Sequence, residues 1–472
     1  MILLSEILEN SREWSLRPDV VEKDYVLGWL LAGISAQPLT KEWIFKGGTC
    51  LKKCYFETYR FSEDLDFTLL ESSPFDAQTI TQALQEISDW VYEQCGIQIP
   101  KDGIALEEFQ NPRGRRAMQG RLSYRGPTGP RGSLPRIKLD LTQDEVVVKE
   151  PIRRPIAHSY SDVLPPDSQV LSYAPDEVFA EKLRALAERQ LPRDLYDIVT
   201  MYRSELFRTE SKEIKAILDK KCAYKGIVYP TIQQLEENPR HLELMSEWGN
   251  MLAHQLPALP LLDQFWVVVP DVLAWVMGTA KPMVPPPVLV LPRETVTEWR
   301  APASITRWGQ SAPLELIRFA GANHLCVELA YRKEGAYSAQ LYVVEPYSLR
   351  RTREGNTLLY ARKTDTQQDR TFRVDRIDSV KVTQKSFQPA YQVEFSETGV
   401  LQTPLLSKPR LGSSFRSPNS SRRSGYGPTY TIECSYCGKK FRRSTNTRTL
   451  NAHKNTDGWP CSGRTGFVVD TI

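Results

Sequence analysis

Two short stretches constrain this chain more than any other: Lys46-Gly47-Gly48-Thr49, and then Arg60-Phe61-Ser62-Glu63-Asp64-Leu65-Asp66-Phe67. Two glycines in a turn let a backbone come close to phosphates. Downstream, Asp64 and Asp66 alternate with Leu65 and Phe67. In an extended strand residues two apart share a face, so both carboxylates point one way and the apolar pair points to a core. Two carboxylates side by side repel unless a divalent cation sits between them, which is how Mg²⁺ or Mn²⁺ is held while keeping nucleotide phosphates. Either half alone reads more simply as something plain, a helix-capping turn or a strand with two solvated aspartates. Together they predict a site in which Gly47, Gly48 and Thr49 cradle phosphates, Ser62 hydrogen-bonds nearby, and Asp64 and Asp66 hold metal.

A glycine turn followed by a D-x-D strand resembles the polymerase-beta type of nucleotidyltransferase. A closer resemblance rests on Val21-Glu22-Lys23-Asp24-Tyr25-Val26-Leu27, Phe45-Lys46-Gly47-Gly48-Thr49-Cys50-Leu51, Arg60 to Asp66, Lys138-Leu139-Asp140, Glu181-Lys182-Leu183-Arg184-Ala185-Leu186 and Arg193-Asp194-Leu195-Tyr196-Asp197. In this order, over roughly the first 260 residues, these blocks resemble the AbiEii/AbiGii nucleotidyltransferase toxin family. The resemblance implies an α/β nucleotidyltransferase domain with a helical extension. It implies metal-dependent transfer of NMP from an NTP donor, GTP or CTP, to an acceptor such as the tRNA 3′ end. It also implies a cognate antitoxin and a setting in bacterial toxin–antitoxin or phage defence. The family's functional lysine and aspartate fall on Lys182 and on Asp197 or Asp194.

The remaining candidates come from phosphoryl-transfer chemistry, which needs positioning and charge neutralisation more than covalent steps. Arg136–Thr142 alternates as a half-buried strand, so Asp140 is a natural third carboxylate, base or metal ligand. Lys138 on the same face could offset phosphate charge; an exposed strand pair is the other reading. Lys182, with Val178 and Leu186 as helical neighbours, reads as a phosphate contact or a snorkelling lysine. Arg193, Asp194 and Asp197 lie at i,i+3 and i,i+4 spacings, which suits nucleotide binding and catalysis or an ion-pair network orienting two helices.

At 472 residues the chain exceeds one usual core. We read residues 1–280 as the nucleotidyltransferase domain, with helices over Asp76–Tyr92, Asp176–Arg189 and from Pro192, and a turn-rich loop at Gly126–Gly132. A proline-rich linker at 281–312 separates it from short strands in 313–401: Cys326–Tyr331, Gln340–Val344, Thr357–Ala361, Arg370–Val374 and Tyr391–Phe395. They predict a small β-barrel or sandwich. Ile317-Arg318-Phe319-Ala320, Val344-Glu345-Pro346-Tyr347-Ser348-Leu349, Leu358-Leu359-Tyr360 and Arg370 to Ile377 resemble a WYL domain, with Leu358-Leu359-Tyr360 where the naming triplet belongs. That implies a small Sm- or SH3-like barrel sensing nucleic acid or nucleotides. Tyr347, Arg350, Tyr360, Arg370 and Arg373 could stack on bases or pair with phosphates, or the tyrosines could simply pack the barrel.

Residues 402–429, rich in Ser, Pro, Gly and Arg, read as a disordered basic linker. In 430–472, Cys434, Cys437, His453 and Cys461 give C-x₂-C-x₁₅-H-x₇-C, the spacing of a CCHC-type zinc finger holding one structural Zn²⁺. From residue 402 onward twelve Lys/Arg face three Asp/Glu, so this region points to a DNA or RNA partner. No apolar run reaches membrane-spanning length, and Met1-Ile2-Leu3-Leu4 meets Glu6 and Glu9 without a basic region before it. No signal peptide or membrane partner is expected, and the reading is cytoplasmic. Two rival functions fit the same residues: a nucleic-acid-binding regulator on a degenerate nucleotidyltransferase scaffold, and NMP transfer to a protein hydroxyl.

Overall fold

The computed structural model describes residues 1–286, 314–396 and 430–471, less 57–58, 112, 130–131, 205–206, 208–209, 283, 353, 436, 444–446, 456–459 and 462. Most of the expected 281–312 linker and all of 402–429 lie outside the described residues. The chain divides into two compact units, Met1–Leu405 and Leu406–Ile472.

The first unit opens with helices α1 (Leu4–Glu13) and α2 (Pro18–Ala36). Fourteen of the nineteen residues of α2 are buried, because it is apolar on nearly every side and is covered by other elements all round. Strand β1 (Ile44–Lys46) runs into α3 (Gly47–Cys50), which continues as a π-helical turn, Leu51–Tyr55. Next come β2 (Asp64–Thr68), α4 (Ala77–Cys95), β3 (Ile104–Gln110), β4 (Arg116–Ser123), β5 (Arg136–Thr142), β6 (Ile152–Pro155) and β7 (Gln169–Ser172). The Asp76 side chain caps α4 by accepting from the Thr79 N–H, and Gly96 ends it in the left-handed region. These strands make one mixed sheet in the order β3-β4-β5-β2-β1-β7-β6. Strand β2 is parallel to β5 and antiparallel to β1, so the two strands carrying the predicted carboxylates are neighbours.

A helical extension follows: α5 (Pro175–Arg189), α6 (Pro192–Arg203), α7 (Ser211–Lys225), α8 (Ile232–Glu237), α9 (His241–Leu252), α10 (Asp263–Trp266) and α11 (Val269–Val276). Prolines open α5 and α6, where the missing N–H would have no helical partner in any case.

Helix α12 (Leu314–Ala322) leads into a five-stranded antiparallel sheet: β8 (Leu325–Tyr331), β9 (Gln340–Arg351), β10 (Thr357–Lys363), β11 (Asp369–Arg373) and β12 (Ile377–Ser386). Its order is β11-β10-β9-β8-β12, and among the described residues β11 and β12 do not pair to close a barrel. Two sequence expectations are corrected here. Strand β9 runs on past Val344 to Arg351, passing Pro346 by a shift of register against Tyr360 and Ala361. The last strand is Ile377–Ser386; Tyr391–Phe395, just after Pro389, forms no strand and ends in a 3₁₀ turn at Glu394–Ser396. This sheet belongs to the same unit as the first, and the Tyr196 hydroxyl on α6 donates to Asn323 Oδ1 at 3.0 Å.

The second unit is a three-stranded sheet, β13 (Tyr430–Cys434), β14 (Lys440–Arg443) and β17 (Gly466–Thr471), in the order β14-β13-β17. A short pair, β15 (His453–Lys454) and β16 (Pro460–Cys461), sets His453 directly across from Cys461.

Candidate active site and metal cluster

Alternation along β2 buries Leu65 and Phe67 and leaves Asp64 and Asp66 half-buried on the other face. Parallel pairing then places Asp64 beside Lys138 and Asp66 beside Asp140. On the far side of Asp66 lies Lys46, its antiparallel partner on β1. Three carboxylates and two lysines therefore share one patch of one sheet face. The Asp140 carboxylate accepts from Gln119 Nε2 at 2.9 Å. Burial, together with the charges of Asp140 and Asp64, pushes the Asp66 carboxyl up to about 6, although Lys46 and Lys182 pull the other way. Burial raises Asp64 too, against Lys138 and Arg193. A carboxylate cluster whose ionised form is this costly fits a divalent cation, which would supply the missing positive charge.

The glycine turn touches this cluster. Gly47 has φ +81°, and a Cβ there would lie 2.2 Å from Asp66 Oδ2. A Cβ on Gly48 would meet Arg60 Nη2 at 2.3 Å and Ser62 Oγ at 3.0 Å. Glycine at 47 lets the backbone lie against Asp66, and glycine at 48 lets it lie against Arg60 and Ser62. The Thr49 side chain is fully buried, and its hydroxyl donates to the Asp64 carbonyl at 2.5 Å. It ties the turn to β2, and of the turn's residues Gly47 keeps some exposure while Gly48 and Thr49 are buried. Arg193 approaches Asp64 Oδ2 at 3.9 Å from the start of α6.

Lys182, Asp194 and Asp197 lie behind the patch. Asp197 has no exposed surface; its carboxylate receives Arg60 Nε at 2.6 Å, Arg60 Nη2 at 2.8 Å, Lys182 Nζ at 2.7 Å and the Tyr59 hydroxyl. Those four donors match the four acceptor sites of a carboxylate. Asp194, also fully buried, takes Arg189 through both nitrogens at 2.8 and 2.9 Å and Lys182 at 3.1 Å. Burial would raise Asp197, but Arg60 and Lys182 outweigh it and hold its carboxyl well below the usual range; Lys182 and Arg189 lower Asp194 in the same way. The network braces α5 and α6 against the loop that carries Arg60, and Arg60 in turn abuts Gly48. It stabilises the fold above the unfolded carboxylate range, near 3.9. That contribution is lost as pH falls below about 4, because the native pKa is the lower one. Urea unfolding is expected to show stability falling between about pH 5 and pH 3, and Asp197→Asn should flatten that slope. An unchanged slope in the variant would remove Asp197 from the account.

Sequence reasoning missed three members of this assembly. Lys46 and Arg60 lay inside the family-like blocks without a role, and nothing in the spacing marked Arg189. Lys46 also reaches Glu145 Oε1 at 3.4 Å, an approach between distant segments that no local pattern could have signalled.

On the second sheet the candidates are dispersed. Tyr347 is buried, donates to Glu345 Oε2 at 2.8 Å and packs edge-on against Phe387 and Tyr391. Arg350 pairs with Glu394, and Arg373 pairs with Asp375 at 2.6 Å. Arg370 lies over the rings of Tyr342 and Phe372, 5.0 and 5.4 Å from their centroids. Tyr360 is half-buried on β10.

In the second unit, the donor atoms of Cys434, Cys437, His453 and Cys461 all lie within 4.8 Å of one another. Cys434 and Cys461 sulfurs are 3.9 Å apart, and Cys437 Sγ is 3.4 Å from His453 Nε2. A tetrahedron built on ~2.3 Å Zn–S bonds has edges of about 3.8 Å. His453 Nδ1 lies 2.9 Å from the Asn451 carbonyl, a contact that suits a proton on Nδ1 and leaves Nε2 to face the thiols.

Residues 29–275, over half the chain, match the family model described as nucleotidyl transferase AbiEii toxin of type IV toxin–antitoxin systems. Residues 313–382 match the WYL-domain model. No curated protein matches. Among solved structures, JHP933 from Helicobacter pylori is similar at 14% identity over 56% of this chain and 94% of its own, with a TM-score of 0.36. A candidate nucleotidyltransferase from the same organism is similar at 14% identity over 56% and 96%, with a TM-score of 0.32. No helix among the described residues is long and apolar enough to cross a membrane.

Proposed function

The chain belongs to the AbiEii nucleotidyl transferase toxin family, and on that premise we propose that it is a metal-dependent toxin transferring NMP from an NTP to the 3′ end of a tRNA. The observation that best supports this is the β2/β5 register, which gathers Asp64, Asp66 and Asp140 on one face beside a glycine turn. A divalent cation bound to Asp64 and Asp66 would neutralise the triphosphate and polarise the phosphorus under attack. The turn carrying Gly47, Gly48 and Thr49 cradles the phosphates through its partly exposed edge at Gly47. Asp140, held by Gln119, receives the proton of the attacking hydroxyl as the bond to the leaving pyrophosphate breaks. Lys46, Lys138 and Arg193 offset charge around the transferring group, and Lys182 holds α5 and α6 in register behind it. Asp194 and Asp197 act as braces and touch no substrate.

In this reading the WYL-matching sheet senses a nucleotide or nucleic-acid ligand, and the Cys₃His module holds zinc and docks on nucleic acid. A cognate antitoxin restrains the enzyme. Incubation with each of the four labelled NTPs, Mg²⁺ and total tRNA is the test. Label on RNA from one preferred NTP is expected. Label on protein instead would favour a protein hydroxyl as acceptor, and no label with any acceptor would leave a degenerate scaffold.

A further inference from the structure

Cations around the carboxylate patch fall into two groups. On the β1 and helix side, Lys46, Arg60, Lys182 and Arg189 each contact a carboxylate within a largely buried network. On the β5 side the opposite holds. Arg125, Arg136 and Lys138 are exposed, and among the described residues their side chains make no hydrogen bond or salt bridge. Lys138 lies close enough to Asp64 to favour its ionised form.

Register puts these free cations in line. Cross-strand neighbours share a sheet face, and β4 pairs with β5 through Gln119–Asp140, Arg121–Lys138 and Ser123–Arg136. Leu122 and Tyr124 are buried, so Arg121, Ser123 and Arg125 lie on the opposite, open face. Arg121 has only a 3.5 Å approach to the exposed Glu107. Arg136 and Lys138, two apart on β5, and Arg121 and Arg125, four apart on β4 and just beyond it, thus line a positive row that leads to Asp140 and Asp64.

The root of this row is held in place. The Arg125 backbone bonds Gln98 in both directions, at 2.8 and 3.2 Å. Beyond it, the buried Glu22 of α2 accepts from the Thr128 N–H at 2.6 Å and its hydroxyl at 2.8 Å. A Cβ on Gly126 would come within 2.7 Å of Glu22 Oε1, so the loop closes down on that carboxylate. A backbone anchored this firmly beneath unpaired arginines is a scaffold for an external anion.

Resting on the nucleotidyl-transfer reading above, we propose that Arg121, Arg125, Arg136 and Lys138 form a track for the phosphates of a single-stranded nucleic-acid acceptor. The acceptor's 3′ end reaches Asp140 from the β4/β5 side, while the donor triphosphate lies over the glycine turn on the β1 side. A row of cations, three of them exposed and unpaired among the described residues and Arg121 only at 3.5 Å from the exposed Glu107, suits an extended polyanion better than a single protein hydroxyl.

The test uses the full chain, a fluorescent single-stranded RNA oligonucleotide, and the variants Arg125→Glu, Arg136→Glu and the double. RNA affinity is expected to fall at least tenfold in the double variant. The slope of log K against log salt should become shallower by about 0.7 for each phosphate that is no longer neutralised. Thermal stabilisation by NTP with Mg²⁺ should stay as in wild type, which also reports an intact fold; where it does not, Arg125→Gln and Arg136→Gln replace the glutamates. In the transfer assay KM for RNA should rise and KM for NTP should not. Unchanged RNA affinity and salt slope in the double variant would overturn the track, as would wild-type labelling of protein in place of RNA. Weakened RNA binding with no transfer by the wild type would keep the track and discard the reaction.

Discussion

Asp66→Asn is expected to lower nucleotide transfer by at least ~10²-fold and at the same time to stabilise the metal-free protein. The two effects have one cause. Asp66 lies between Asp64 and Asp140 on a half-buried face, and its carboxyl is pushed up to about 6. At neutral pH its charge is therefore held against burial and two like charges. Each pK unit corresponds to about 1.4 kcal/mol, and partial exposure at the site trims the sum, so the neutral isostere should gain on the order of 1–2 kcal/mol. Folded Asp66 binds a proton more readily than the unfolded chain does. Metal-free wild type should thus gain stability as pH drops from about 6 toward 4, a slope that the variant should lack. Asp64→Asn should show the same loss of transfer. Urea unfolding without metal, beside the labelled-NTP assay, measures both effects. Near-normal transfer in both variants would dismiss the metal-ligand role. A less stable Asp66→Asn protein would mean that the attraction of Lys46 outweighs the repulsion.

That opposition also shows what the sequence could and could not reveal. The D-x-D alternation and the glycine pair are local patterns with local causes, so strand, turn and shared face could be read directly. Asp140 was legible as a second alternating strand, although its place beside Asp66 depends on a parallel pairing that skips two intervening strands. Asp194 and Asp197 were legible as charged residues at helical spacing, but not the choice between catalysis and bracing. That choice depends on Arg60 and Arg189, which reach them from other segments. The second sheet was read less well. Pro346 hid the length of β9, and Tyr391–Phe395 alternates like a strand yet ends in a 3₁₀ turn, while β12, which the pattern did not mark, pairs with β8. Glu22, which reads as structural by default, holds the loop beside the site through two hydrogen bonds that no sequence spacing announces.

Chelation, or Cys434→Ser, is expected to unfold the second unit while leaving nucleotide transfer to a short acceptor intact. Its core is small: buried Ile432, Cys434, Leu450 and Cys461, with Tyr430, Cys437, Phe441 and Val468 packed against them. Two of those four buried residues are themselves metal-ligand candidates, so burial of apolar surface alone cannot hold three short strands together. Structural zinc supplies ~10–16 kcal/mol in modules of this kind, most of it folding free energy. The geometry gathers the four ligands: Cys434 and Cys461 sulfurs sit 3.9 Å apart, the β15–β16 pair holds His453 against Cys461, and the Gly463 N–H donates to Cys461 Sγ at 3.3 Å. Amide-to-thiolate bonds of that type stabilise the ionised ligand. Metal analysis should find about one zinc per chain in the wild type and little in Cys434→Ser. A chain ending at Gln402 should contain none, because the predicted ligands follow that residue. Proteolysis should cut the variant within 430–472 and spare the first unit. Zinc at full occupancy in the chain ending at Gln402 would place the metal elsewhere. A Cys434→Ser protein whose second unit still resists proteolysis would show that its strands fold without the ion.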